Sequence, residues 1–150
     1  MDANIKKRIK NLFGRVQNFS DGFPVGLARH LGGSGIIKPI VQEKPWGAEI
    51  WLIYTKHYAF KILIVEKGKR FSLQKHKRKT ESWYVAKGEP LIILGNKKIT
   101  AKPGQLYHIS ANTLHRVEAR KSSAEIWEVS SPELWDVVRV QDDFGRGYKV

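Results

Sequence analysis

From Ile36 to Ser130 the chain is a succession of short runs rich in Ile, Val, Tyr and Trp, cut every few residues by a Gly, Pro or Asn turn. Runs of this length are too short for helices, and strands at such spacing bury their apolar faces in a sandwich or a closed barrel. The pattern predicts strands over Ala48–Tyr54, Tyr58–Val65, Arg70–Lys75, Glu81–Ala86 and Glu89–Leu94. Four more are predicted over Lys97–Ala101, Gln105–Ile109, His115–Ala119 and Ser123–Val129. Lys67-Gly68, Lys87-Gly88, Gly95-Asn96 and Pro103-Gly104 are the turns. The expected fold is an all-β jelly-roll barrel.

The first 35 residues read differently. Ile5, Ile9, Leu12, Phe13 and Val16 recur at helical steps, with Lys6, Lys7, Arg8, Lys10 and Arg15 on the other face. A second short helix is expected over Val25–Leu31, and Gly32–Gly35 reads as a joint. The chain therefore divides into a basic amphipathic helical extension, 1–35, and a barrel with a C-terminal arm, 36–150. The extension is expected to pack on its own domain or a partner subunit and to be dispensable for the barrel.

Composition narrows the function classes. There are 150 residues, enough for one domain with a real core. Cys is absent, which excludes disulfides, thiolate metal sites and cysteine nucleophiles. No run approaches the roughly 18 apolar residues of a membrane span, and the N-terminus lacks the apolar core of a secretory signal. A cytoplasmic location is expected. Lys and Arg number 27 against 14 Asp and Glu, a net charge of +13 that favours anionic partners. Nucleic acid is not the expected partner, since the basic helix lacks aromatic stacking motifs.

Inward positions on a strand lie two apart, and Gln74 and His76 have that spacing. Glu81 follows after a gap long enough for a turn, and His115 lies on another predicted strand. Two imidazoles, a carboxylate and an amide oxygen suit a divalent Zn, Mn, Fe, Co or Ni ion. His30 and His57 fall outside any constellation, and His108 reads as a structural residue within a strand. The Lys75–Lys79 run reads mostly as a solvated turn, and the five Trp residues as packing, with Trp46 able to line a pocket mouth.

The run from Gly68 through Gln74, His76 and Glu81 to Gly88 resembles the first cupin motif, and Gly104 to His115 resembles the second. Asn112 replaces a usual Gly there, a residue type that tolerates a left-handed backbone. Lys44-Pro45-Trp46-Gly47, Glu128-Val129-Ser130 and Asp136 to Arg146 complete a set similar to the cupin domain of type II mannose-6-phosphate isomerases, often fused to a guanylyltransferase. In that subfamily Gln is usual at the first ligand position.

The resemblance implies a metal-dependent aldose–ketose isomerase that interconverts mannose 6-phosphate and fructose 6-phosphate through an enediol. It implies Gln74, His76, Glu81 and His115 as metal ligands and a phosphorylated sugar or other small anionic carbohydrate as partner. Arg139, Arg146 and Lys61 match family positions suited to anchoring phosphate. Arg139, Lys61 and Glu128 are the catalytic candidates, with Arg146 and Arg116 as substrate-binding candidates. The base is open among Glu81, Glu128 and Lys61. The alternative is a non-catalytic sugar- or sugar-phosphate-binding cupin module, and a homodimer is an assembly open to either.

Overall fold

The computed structural model describes residues 1–13, 17–19 and 39–146. Arg15, Val16, the helix expected over Val25–Leu31, His30 and the Gly32–Gly35 joint lie outside the described residues. One helix opens the chain, α1 (Ala3–Phe13). Then come β1 (Gln17–Phe19), β2 (Ile40–Lys44), β3 (Gly47–Tyr54), β4 (Ala59–Val65), β5 (Lys69–Arg70), β6 (Leu73–Lys75) and β7 (Glu81–Lys87). They are followed by β8 (Leu91–Leu94), β9 (Lys97–Thr100), β10 (Leu106–Ile109), β11 (His115–Ala119), β12 (Ala124–Ser130) and β13 (Val138–Gln141).

The strands form two sheets. One has the order β1-β2-β3-β4-β12-β7-β10, and the other β13-β6-β11-β8-β9 with β5 also on β11. Between them lie Trp46, Leu63, Val65, Phe71, Trp83, Val85, Ile92, Val117 and Ile126. This is the all-β, two-sheet barrel with an N-terminal helix that the turn spacing predicts. Three strands were not expected: β1, β2 and β13. The strand expected over Arg70–Lys75 breaks at Phe71 and Ser72 into β5 and β6.

Along β3 and β4 the apolar run is nearly continuous because both faces are covered. Glu49, Trp51, Lys61 and Leu63 face inward, while Ala48, Ile50, Ile62 and Ile64 face out beneath α1. Ile5 and Ile9 of α1 seal that outer cluster together with Val41. Asp2 caps the helix by accepting the N–H of Asn4 at 2.6 Å. Arg8 pairs with Glu125 of β12. The helix therefore packs on its own barrel, leaving Lys6, Lys7 and Lys10 exposed. Further along the same outer face, Trp127, Val129 and Tyr84 remain exposed, with Leu106 at 74% exposure.

Gly47 makes the turn into β3 possible. Its φ is +146°, and a Cβ there would lie 2.0 Å from the carbonyl oxygen of Ile64. Only glycine lets β3 approach β4 this closely.

A chain beginning at Ile36 is expected to fold, because the inter-sheet core lies wholly beyond it. It loses the cover that Ile5 and Ile9 give, about 3 kcal/mol from burying two such side chains. Thermal unfolding followed by circular dichroism measures the loss. Failure to fold at all would make the helix part of the main core.

Candidate functional site

Alternation and register bring two rows of side chains face to face. In the six-stranded sheet, Arg139 of β13 pairs with Gln74 of β6, which pairs with His115 of β11. In the seven-stranded sheet, Trp51 opposes Lys61, Lys61 opposes Glu128, and Glu128 opposes Trp83. Residues directly opposed in antiparallel strands point to the same side. Between these rows lies a cavity of about 450 Å³.

His76 and Glu81 line this cavity and His115 is buried beside them, the candidate ligand atoms of all three lying within 4.8 Å of one another. All three are buried. His76 Nδ1 lies 2.7 Å from the Asp136 carbonyl, and His115 Nδ1 lies 2.9 Å from the Thr113 carbonyl. A carbonyl only accepts, so each Nδ1 carries a proton and each ring turns its Nε2 toward Glu81. His76 Nε2 then faces Glu81 Oε1 at 3.0 Å, and His115 Nε2 faces Glu81 Oε2 at 3.6 Å. His76 Nε2 and Glu81 Oε2 are buried without a hydrogen-bond partner. Two buried imidazole nitrogens and a buried carboxylate converging on one point fit a cation.

Charge states agree with that fit. Burial pushes the His115 pKa below its usual value against the pull of Glu81, which favours the neutral imidazole a metal needs. Burial opposes ionisation of Glu81, but the Lys79 ammonium beside it, first among its partners, outweighs burial and holds its carboxyl well below the usual range. Gln74 stands beside the trio, its Nε2 3.5 Å from His115 Nε2 and its Oε1 accepting Ser72 Oγ at 2.8 Å. Turning the amide over brings Oε1 to the trio, and Ser72 Oγ can equally accept from the amide NH₂. The turn before β11 fixes this end of the site. Asn112 adopts φ 63°, the left-handed backbone its identity allows, and its N–H reaches the His76 carbonyl at 2.7 Å.

The opposite wall carries alternating charges. Glu128 Oε1 meets Lys79 Nζ at 3.1 Å and Lys61 Nζ at 3.4 Å, and Lys79 also binds Glu81. Lys61 Nζ sits 4.2 Å from the centre of a Trp51 ring. Lys79 is a finding of the structure: it is 4% exposed, within a run otherwise read as solvated turn. Burial opposes its ammonium, yet Glu128 and Glu81 raise its pKa above the ordinary value. Lys44 and Glu49 were also missed. They approach at 3.8 Å in the cavity wall, where burial lowers the Lys44 pKa against Glu49.

Arg139 and Arg146 both line the cavity. Arg146 pairs with Asp142 and packs against Phe144, 5.4 Å from guanidinium carbon to ring centre. Arg139 makes no ion pair among the described residues, and its buried Nε lacks a hydrogen-bond partner. The Asp residues near it are otherwise engaged: Asp136 with the N–H groups of Arg78 and Lys79, Asp142 with Arg146, and Asp143 with Arg70. Arg116 corrects an expectation. It alternates with His115 to the far face of β11, outside the cavity, where Nη2 donates to Gln141 Oε1 at 3.0 Å. His57 is exposed, and His108 Nδ1 pairs with Ser82 Oγ at 3.0 Å away from the cavity. Trp46, Trp51, Trp83 and Trp135 all line the cavity.

Residues 40–142 match the family model described as mannose-6-phosphate isomerase C-terminal. The xanthan biosynthesis protein XanB of Xanthomonas campestris pv. campestris is 29% identical over 107 residues, 69% of this chain and 23% of that protein. A mannose-1-phosphate guanylyltransferase of Klebsiella pneumoniae is 24% identical over the same shares. The chain thus spans about a quarter of the length of the curated relatives it matches. In fold it is similar to KdgF from Halomonas sp., with TM-score 0.60 and 20% identity over 67% of this chain and 94% of that one. An RmlC-like cupin from Shewanella frigidimarina gives TM-score 0.60 and 14% identity over 65% and 87%.

Proposed function

The chain belongs to the mannose-6-phosphate isomerase C-terminal family, and from that premise we propose that its cavity binds a hexose 6-phosphate and interconverts aldose and ketose. The observation that carries the reading is one cavity lined by His76 and Glu81 of the buried trio and by Arg139, which makes no ion pair among the described residues. A sugar phosphate offers both matching parts, neighbouring oxygens for a cation and a phosphate for an arginine fork.

Gln74, His76, Glu81 and His115 would hold a divalent Zn, Mn, Fe, Co or Ni ion, which when bound supplies Lewis-acid polarisation of oxygen. The remaining chemistry falls to the chain's own residues. Arg139, with Arg146 beside it, holds the phosphate and fixes the sugar's direction in the cavity. Glu128 takes the proton from carbon 2 of the aldose and returns it to carbon 1, while the oxygen on carbon 1 gains a proton and the hydroxyl on carbon 2 loses one, passing through an enediol. Both lysines approach Oε1 of Glu128, which leaves Oε2 for the proton. Lys61 and Lys79 set positive charge beside the oxygens that become negative as that proton leaves. Trp46, Phe71 and Trp83 exclude water from the apolar side of the cavity. A cytoplasmic setting belongs to the same proposal, and no described helix is long and apolar enough to cross a membrane.

The curated relatives are named for biosynthesis or for guanylyl transfer, and this chain matches only part of each. A non-catalytic sugar-phosphate-binding module is therefore the second reading. Mannose 6-phosphate is incubated with protein purified without chelators, and fructose 6-phosphate is read with a coupled dehydrogenase. Turnover that disappears with a chelator and returns with metal is the expected result. Binding of the sugar phosphate without turnover would select the module instead, and neither binding nor turnover would overturn both readings.

A further inference from the structure

Between β12 and β13 the segment 131–137 runs as a strap along the cavity, contributing Leu134, Trp135 and Val137 to its wall. Ser131 ties it to Thr80 twice, through its N–H to the Thr80 carbonyl and through its Oγ to the Thr80 N–H, both at 3.1 Å. Asp136 ties it at two further points by different means. Its main-chain oxygen accepts from His76 Nδ1 at 2.7 Å, and its carboxylate accepts the N–H groups of Arg78 and Lys79, the latter at 2.9 Å. The turn that these amides belong to separates His76 from Glu81 and carries Lys79.

We propose that Asp136 is the positioning residue of the candidate metal centre: its carboxylate pins the Lys77–Lys79 turn so that its carbonyl meets His76 Nδ1 and aims Nε2 at Glu81. The argument is geometric. A ligating imidazole must be held in one tautomer and one ring orientation, and the group on its far nitrogen does this. Here that group is a backbone carbonyl on a strap otherwise held near His76 by Ser131 and the pairing of β13. The carbonyl alone has no fixed place relative to His76. The carboxylate gives it one, by gripping the residues that follow His76 in the chain. Docking of the strap and readiness of the trio are then one event, so a cation that binds the trio also favours the docked strap.

The inference rests on the metal reading, and its test separates the two. In metal-free protein, ¹⁵N shifts of His76 read the tautomer directly. The wild type is expected to show a hydrogen-bonded Nδ1–H, and Asp136→Ala a population that has lost it. Titration with Co²⁺, followed by absorbance, is expected to show affinity about 10–100-fold weaker in Asp136→Ala, as for other groups that orient a ligand. Asp136→Asn keeps one acceptor oxygen and should lose affinity by a smaller factor, about threefold to tenfold, which serves if the alanine variant fails to fold. Tyr54→Phe removes the strap's bond from the Tyr54 hydroxyl to the Pro132 carbonyl without touching His76, and should leave tautomer and affinity unchanged. An unaltered His76 tautomer and unaltered Co²⁺ affinity in a folded Asp136 variant would overturn the proposal. If the wild type takes up no divalent ion, the metal reading fails while the tautomer comparison still decides the role of Asp136.

Discussion

His76→Ala is expected to leave a folded protein that has lost at least about 100-fold in divalent-metal affinity, at or beyond the upper limit for changing a group behind a ligand. The variant removes one of two imidazole nitrogens, the one that faces Glu81 Oε1. It also strips the Asp136 carbonyl of its donor. Metal content after chelator-free purification, followed by Co²⁺ titration, measures the loss. Gln74→His should keep the metal, because imidazole is at least as good a donor as an amide oxygen. Full occupancy in His76→Ala would remove that residue from the ligand set and leave the orphaned Nε2 without an account.

Arg139→Lys is expected to keep fold and metal while raising KM for the sugar phosphate about 10–100-fold, and Arg139→Ala to cost more. A hydrogen bond to a charged group is worth about 1.5–3 kcal/mol, and the planar fork that makes two of them to phosphate has no equivalent in lysine. The competing account, an ion pair with a nearby aspartate, predicts a nearly silent substitution. The structure has spent those aspartates elsewhere, on Arg146, Arg70 and the amides of Arg78 and Lys79. Burial, helped by the neighbouring Arg146, pushes the Arg139 pKa below its ordinary value against the pull of Asp142 and Glu49. Unchanged kinetics in both variants would move the anchor to Arg146, Lys61 or Lys44.

The strands from Gly47 to Ser130 were legible because each is a β-branched or aromatic run ended by a turn residue. The gathering of His76, Glu81 and His115 was legible because inward positions repeat every two residues and the spacing carries across turns. What escaped has physical reasons. β1 is three residues long and pairs in parallel with β2, a contact that leaves no local pattern. β13 is half-exposed on an edge, so its alternation is faint. The outer cluster under α1 looked like ordinary strand hydrophobicity, since nothing in Ile50 or Ile62 says which face a helix will cover. Lys79 was hidden in a run of exposed basic residues. The contact from Asp136 to His76 is made by a main-chain oxygen, which every residue has and no sequence marks.

The outer face of β4, β12, β7 and β10 has a consequence for how the protein behaves in bulk. Trp127 there packs against Phe60 and Tyr84, with ring centres 6.3 and 5.7 Å away, and Val129 and Leu106 extend the apolar surface beside it. Such a face attracts its own kind through the hydrophobic effect, which salt does not weaken. Opposing that attraction is the repulsion of +13 charges on every molecule. The repulsion reaches only about 8 Å at physiological ionic strength and about 3 Å in molar salt. Colloidal stability is therefore set by the buffer: dilute salt well below the isoelectric point near 10.0 keeps the molecules dispersed. Concentrated sulfate, or solution near that isoelectric point, drives them together.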